Sequence, residues 1–305
     1  MTGADFTQKF TFERTPVRGR IIRLRETWTQ LSRRCEHGAD ATRLLAQLAA
    51  AAGLMAQDLK VTGSLTIQLR NRDRRHTGTL ETAMAECRGK SLLRGIVRAS
   101  DAEGGSAPTP DRPRADLATL FGTGDLAITL RGQAGDTYQG VVEIGAGDVV
   151  SHLERYFAAS EQLPTRLWIV TAPDAVCGLL LQRLPNAAIS DADDDDWRRL
   201  TLLADTMTPE ELTGTAVDVL LGRLYPAERV RLHRTEPIEF GCSCTRDRST
   251  NALKLMGRDE VSGILAEDGC VDVTCEFCGS HYLYDAVDVA ALMRDGASAP
   301  SHTIH

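Results

Sequence analysis

Four cysteines near the C-terminal end have the types and spacing to do chemistry. Cys242 and Cys244 lie in FGCSCTRDR (240–248), and Cys275 and Cys278 lie in DVTCEFCGSH (272–281). A C-x-C and a C-x2-C on two tight turns, separated by thirty residues, can bring two thiol pairs together as a tetrahedral four-sulfur metal site. Zinc is the expected ion, in a structural role. A catalytic zinc keeps an open position and takes His or carboxylate ligands, and His281 falls outside the pair spacing. Cys270, five residues ahead of Cys275, is spare and reads as a bystander thiol.

Such a site can be a clip or a switch. Zinc at four thiolates supplies folding free energy of about 10–16 kcal/mol in small modules. Thiolates also react with oxidants, and each cysteine here has a partner thiol within a few residues. Local disulfides would consume all four ligands, and closing such short loops returns little stability. The chemistry alone leaves clip and switch both open.

The rest of the chain must position this set. With 305 residues, 42% hydrophobic and 25% charged, it is long enough for two domains, or for one domain with an appended module. The net charge of −7 gives little attraction to a polyanion, so no nucleic-acid partner is expected. MTGADFTQKFTFERTPVRG carries no apolar core of a signal peptide. The most apolar window, LLAQLAAAAGLMA at 44–56, is shorter than the roughly eighteen residues a spanning helix needs. No membrane partner and a cytoplasmic location are expected. There, eight cysteines with five of them inside 242–278 point to metal or redox chemistry rather than a disulfide framework.

The expected fold is α+β: an N-terminal, mostly antiparallel sheet domain with packed helices (1–185), a helical connector (186–230), a small four-cysteine zinc module (231–293) and a disordered tail (294–305). FTFERTPVRGRIIRLR at 10–25 alternates as one half-buried strand. A helix follows over about 40–59 with Leu44, Leu45, Leu48 and Ala52 on one face. Strands are expected at 65–69, 79–86 and 92–98, with a short turn at Arg88-Gly89-Lys90. A surface loop follows at 101–115, and then a hairpin of 125–131 with 138–144. Asp148 should cap a helix carrying Val149, Leu153 and Phe157 that stops before Pro164, with strands at 167–170 and 178–184 beyond it.

In the connector, DADDDDW opens a helix with Trp197, Leu200, Leu203 and Ala204 as its stripe. Thr208-Pro209-Glu210-Glu211 writes a capping box for a second helix running to about Leu224 through Leu212, Ala216, Val219 and Leu220. Neither helix has strands of its own to pack on, so both must dock elsewhere. Other candidates reduce to structure. RNRDRRH at 70–76 reads as a charged turn, GAGDVV at 145–150 lacks a third glycine, and Ser151, His152 and Glu154 do not face one another as a catalytic set. Cys35, Cys87 and Cys177 read as small buried hydrophobes. No catalytic residues are expected.

CSCTRDR, EDGCVDVTCEFCGSHYLYDAVDV, LERYFAASEQLPTRLWIV and VRGRIIRL together resemble the 33-kDa heat-shock protein family of redox-regulated bacterial holdase chaperones, across about 10–289. The resemblance implies that Cys242, Cys244, Cys275 and Cys278 bind zinc in a reduced, idle state. It further implies that oxidation under unfolding stress forms two local disulfides, releases zinc and unfolds module and connector. The active form would hold unfolding client proteins without ATP, as a homodimer. Cys270 and the three scattered cysteines depart from the family pattern. Two other classes remain: a zinc-ribbon module binding a protein or nucleic acid, and a thiol-disulfide oxidoreductase, which would need its Cys-x-x-Cys at a helix start in a βαβ setting.

Overall fold

The computed structural model describes residues 4–57, 63–72, 80–99, 115–132, 135–185 and 191–295. The chain divides into two compact units, Met1–Gly241 and Cys242–His305. The first unit begins with β1 (Phe6–Phe12), β2 (Val17–Leu24), α1 (Glu26–Ser32), α2 (Ala39–Ala56), β3 (Ser64–Asn71), β4 (Leu80–Arg88) and β5 (Leu92–Ala99). It continues with α3 (Leu117–Phe121), β6 (Gly124–Arg131), β7 (Thr137–Glu143), α4 (Val149–Tyr156), β8 (Thr165–Ala172) and β9 (Ala175–Arg183). The connector helices α5 (Asp191–Asp205), α6 (Pro209–Gly214) and α7 (Val217–Leu224) lead into β10 (Val230–Pro237) and β11 (Glu239–Phe240).

Two sheets result, in the orders β10-β1-β2-β9-β8 and β11-β5-β4-β3-β6-β7. All pairings are antiparallel except β11 with β5. Helix α2 lies in the core shared by both sheets. Its expected one-sided stripe is a correction: Leu44, Leu45 and Leu48 are buried, but so are Ala46, Ala49, Ala50 and Ala51 on the other faces. Alanine is what lets two sheets close on one helix, since a larger side chain would hold them apart. Gly53 takes this furthest, because a Cβ there would sit 2.4 Å from the Ile22 side chain.

The expected strand over 10–25 is instead the hairpin of β1 and β2, which turns at Glu13–Pro16. Proline ends a ladder because it has no N–H to give. The turn at Arg88-Gly89-Lys90 has left-handed φ at both Gly89 (56°) and Lys90 (70°), the geometry that suits a tight hairpin. Asp148 caps α4 as expected by accepting from the Ser151 N–H at 3.0 Å. The helix then widens into a π-turn at Phe157–Glu161 that ends on Gln162 in the left-handed region. Residues 101–114 of the expected loop at 101–115 and residues 73–76 of the charged turn expected at 70–76 lie outside the described residues.

Strand β9 is buried at every position, because both of its faces are covered. Val176 and Leu180 face the α2 core, while Cys177, Leu179 and Leu181 join Phe10, Phe12, Val17 and Ile21 on the opposite face. The connector helices cover that opposite face. Leu200, Leu212 and Leu220 are fully buried on it, and Trp197 and Leu203 pack partly buried beside them. The capping box at Thr208 forms in full, with Glu211 N–H to Thr208 Oγ1 at 3.2 Å and Thr208 N–H to Glu211 Oε2 at 3.0 Å.

The expected single helix from Thr208 to Leu224 breaks, however, at Thr215 and Ala216, which are extended. Gly214 and Thr215 are weak helix formers, and the Arg23 guanidinium of β2 donates to the Thr215 carbonyl that the break frees. Residues 231–240, expected in the cysteine module, belong to the first unit. Strand β10 adds to the edge of β1, and β11 pairs with β5.

The second unit is small. It comprises α8 (Arg246–Met256), α9 (Arg258–Asp268), a hairpin of β12 (Val271–Thr274) and β13 (His281–Tyr284), and α10 (Ala286–Asp295). The tail expected from 294 is helical through Asp295; residues 296–305 lie outside the described residues. Among the described residues the fully buried core of this unit is five side chains, Leu253, Val261, Val271, Tyr284 and Val289, with partly buried apolar side chains such as Ile264, Leu265 and Tyr282 packed against them. Among the described residues no helix is long and apolar enough to cross a membrane.

Candidate metal centre

The four cysteines singled out in the sequence converge in the second unit. Their Sγ atoms all lie within 4.8 Å of one another, with Cys242 and Cys275 3.6 Å apart and Cys244 and Cys278 3.3 Å apart. A tetrahedral metal with metal–sulfur bonds of about 2.3 Å needs sulfur–sulfur edges of about 3.8 Å, so the observed spacing brackets that value. Four soft donors in this arrangement fit an ion such as zinc. Among the described residues, neither Cys270 nor His281 belongs to the cluster. Cys270 is exposed, and the His281 ring is held by Asp272 at 2.8 Å and Thr274 at 3.2 Å.

Local structure explains how each pair is presented. Cys242 and Cys244 sit on the extended segment ahead of α8, whose cap is Thr245, accepting from the Arg248 N–H at 3.2 Å. Arg248 reaches back to Ser243, donating to its carbonyl at 3.0 Å and its hydroxyl at 2.6 Å, and so fixes the C-x-C turn. Cys275 and Cys278 lie in the loop between β12 and β13. The Cys275 N–H donates to the Ser280 carbonyl at 2.8 Å, and the Gly279 N–H donates to the Cys275 carbonyl at 2.7 Å. Gly279 has φ of 72°, the left-handed turn that aims both thiols inward.

Cys244, Cys275 and Cys278 are shifted in different directions. Burial raises Cys278, but Ser280 and the neighbouring Cys244 and Cys275 outweigh it and bring the thiol down to about 6. Burial pushes Cys275 up to about 12 and also raises Cys244. Tyr282, which hydrogen-bonds Cys244, is pushed up to about 12 by that bond.

Sequence reasoning missed the scaffold behind the pairs. Arg246 donates to the Leu283 carbonyl at 2.9 Å, pairs with Asp288 at 2.6 Å, and lies 4.3 Å from the centre of the Tyr284 ring. The Tyr284 hydroxyl in turn donates to the Arg246 carbonyl at 3.0 Å. This knot ties the helix after one cysteine pair to the hairpin carrying the other. The CTRDR run places an arginine two residues after Cys244, but its partners lie some forty positions downstream, beyond any local signal.

The remaining candidates resolve as structure. His152 is fully buried, accepts from the Gly145 N–H at 3.0 Å on Nε2 and faces the Asp148 carbonyl at 2.7 Å on Nδ1, and burial lowers its pKa. Ser151 donates to the same carbonyl, and Glu154 accepts from Arg166 and from the Leu167 N–H. Arg72 pairs with Asp125. Burial pushes Cys87 up to about 12 and Cys177 up to about 11, while Cys35 is half-buried.

Comparison with known proteins agrees along the whole chain. The family model described as Hsp33 protein matches residues 5–285. The 33 kDa chaperonin of Ectopseudomonas mendocina (strain ymp) is 40% identical over 305 residues, covering 99% of each chain. The 33 kDa chaperonin of Azotobacter vinelandii is 40% identical over 311 residues, covering 100% of each. Among solved structures, the 33 kDa chaperonin of Thermotoga maritima superposes with a TM-score of 0.79 at 19% identity, covering 96% of this chain and 99% of that one, a likeness of fold. With its four-sulfur cluster, its paired antiparallel sheets and full-length relatives at this identity, the chain belongs to the Hsp33 family.

Proposed function

We propose that this protein is a redox-regulated, ATP-independent holdase chaperone of the cytoplasm, with no catalytic residues. Cys242, Cys244, Cys275 and Cys278 would hold zinc and serve as the redox sensor. The observation that carries the reading is a four-thiol cluster in a unit whose fully buried core, among the described residues, is five side chains. A core that small does not sustain some fifty described residues. Zinc bound at four thiolates supplies about 10–16 kcal/mol of folding free energy, so the thiols decide whether the unit is folded.

Oxidation of Cys242 with Cys244 and of Cys275 with Cys278 forms two disulfides and passes two electrons per bond to a peroxide-class oxidant, which is reduced to water. No thiolate donor then remains and the unit loses its fold. The chain runs from the connector through β10 and β11 directly into Cys242, so the connector (186–230) is the next segment to lose order. Its detachment bares the apolar face of Phe10, Phe12, Ile21, Leu179 and Leu181, now under Leu200, Leu212 and Leu220. That face, in the N-terminal domain (1–185), would hold unfolding clients, with a homodimer as the oxidised form.

A second reading, a purely structural clip in a protein-binding module, draws on Leu255 and Val287, exposed at 90% and 74% in the second unit. Titration with peroxide separates the two. Zinc release, thiol loss and suppression of aggregation of a heat-unfolded client should rise together; zinc release without any suppression would leave only the clip.

A further inference from the structure

Helix α2 fills the space between the two large sheets and stops at Ala56. At that end a cavity of about 160 Å3 remains, with Met55 in its wall. Leu180 of β9 closes it on one sheet, and Leu65 of β3 and Ile128 of β6 close it on the other; Phe157 of the π-turn forms a further side. Leu65, Ile128 and Leu180 are each at most 2% exposed, so the chamber itself is dry and apolar. An apolar cavity of about 150 Å3 accepts a body the size of benzene.

Among the described lining residues two are charged, one of each sign: Arg18 of β2 and Glu161 of the π-turn. Arg18 donates to Gln182 Oε1 from Nε at 3.1 Å and from Nη2 at 2.5 Å. Gln182, 3% exposed, donates onward to Thr165 Oγ1 at 2.9 Å, and Thr165 donates to the Leu163 carbonyl at 3.0 Å. This buried chain fixes the Gln182 amide with its oxygen towards Arg18 and so holds the guanidinium in place. On the other side, Glu161 Oε1 accepts from the Tyr156 hydroxyl at 2.9 Å and from the Tyr138 hydroxyl at 3.5 Å. Burial keeps the Tyr156 phenol protonated, so it remains a donor. Both bonds go to Oε1; among the described residues nothing donates to Oε2. The π-turn that carries Glu161 closes on Gln162 at φ of 53°, and wide turns and left-handed side chains of this kind collect at functional sites.

We propose that this cavity binds a free α-amino acid with a large apolar side chain, of which phenylalanine is the representative. The side chain enters the chamber, the carboxylate meets Arg18 and the ammonium meets Glu161. A carboxylate alone would be set against Glu161, and an amine alone against Arg18, so only a zwitterion is met favourably on both sides. A residue inside a polypeptide carries neither charge. The site is therefore distinct from any surface that holds unfolded chains, and it does not rest on the redox reading.

The test titrates full-length, reduced, zinc-loaded protein with L-phenylalanine, followed by ligand-observed NMR. Saturable binding is expected with a Kd of about 1 mM or below, the range open to a ligand this small. Phenylpropionate, which lacks the ammonium, and phenethylamine, which lacks the carboxylate, should each bind roughly tenfold more weakly. Glu161→Gln should weaken phenylalanine by about the same factor and leave phenylpropionate unchanged; Arg18→Gln should weaken phenylalanine and leave phenethylamine unchanged. Leu163→Trp, which fills the cavity from its lining, should abolish binding of all three. Thermal melting without ligand checks the fold of each variant, and Glu161→Gln, at an exposed position, decides the matter if the others melt early. No saturation by about 10 mM phenylalanine overturns the proposal, as does equal affinity for phenylalanine and both truncated analogues, or wild-type affinity in Glu161→Gln. N-acetylphenylalanine amide binding as tightly as phenylalanine would also overturn it, because the chamber would then take side chains of polypeptides.

Discussion

Leu220→Ala in the connector should switch the protein partly on without oxidation. Leu220 is fully buried in the cluster that α5–α7 form with Phe10, Phe12, Ile21, Leu179 and Leu181. Truncating a buried leucine costs about 2–5 kcal/mol. If the connector opens as a local unit, each 1.4 kcal/mol multiplies its open population by about ten, so the variant should open roughly thirty-fold to a few thousand-fold more often. The other ties remain: Asp205 still accepts from Trp168 Nε1 at 2.9 Å and from Arg166 at 3.3 Å, and Arg23 still caps Thr215. Hydrogen exchange across 209–224, measured in reductant with zinc bound, should accelerate, and suppression of client aggregation should appear under the same conditions. Val219→Ala is the control, since Val219 is 43% exposed one position away and should change neither. If Leu220→Ala accelerates exchange while the reduced protein stays idle, the face beneath the connector is not where clients are held.

Cys278→Ser should reduce zinc content from about one ion per chain to none and abolish the thermal transition of the second unit; retained zinc at wild-type affinity would contradict the four-ligand assignment. Arg246→Ala touches no ligand, yet it removes the tie to Asp288, Leu283 and Tyr284, so zinc affinity should fall about ten- to a hundred-fold in a chelator competition. Burial keeps Cys177 protonated in the fold, raising it from 9.0 to about 11, so between those values the unfolded chain sheds a proton that the folded chain keeps. Stability should therefore fall with rising pH by up to about 1.4 kcal/mol per unit in that window. Cys177→Ala should remove this share of the slope in urea unfolding, and an unchanged slope would show that the thiol ionises in place.

What was legible in the sequence follows from the range of the forces involved. The cysteine pairs, the Asp148 cap and the Thr208 capping box are written within a few residues, and each forms as written. The connector's need for a foreign surface was legible from Leu200, Leu212 and Leu220, but the surface itself was not, because Phe10, Ile21 and Leu179 come together only through sheet pairing. The alanines of α2 read as helix propensity, whereas their role is to fit between two sheets. The carbonyl freed by the helix break at Thr215 is met by Arg23, nearly two hundred positions earlier. Likewise β10 and β11 read with the cysteines that follow them, while their backbone bonds go to β1 and β5. In each case a long-range contact overrode a local pattern.

In the proposed switch, the oxidation state of four sulfurs decides whether the connector covers the apolar face. Hydrogen exchange over 191–224 tests it most directly, comparing zinc-bound reduced protein with fully oxidised protein that is actively suppressing aggregation. Exchange at Leu200, Leu212 and Leu220 should be slow in the reduced form, with that protection lost on oxidation. Protection that persists across the connector while the oxidised protein holds clients would contradict it.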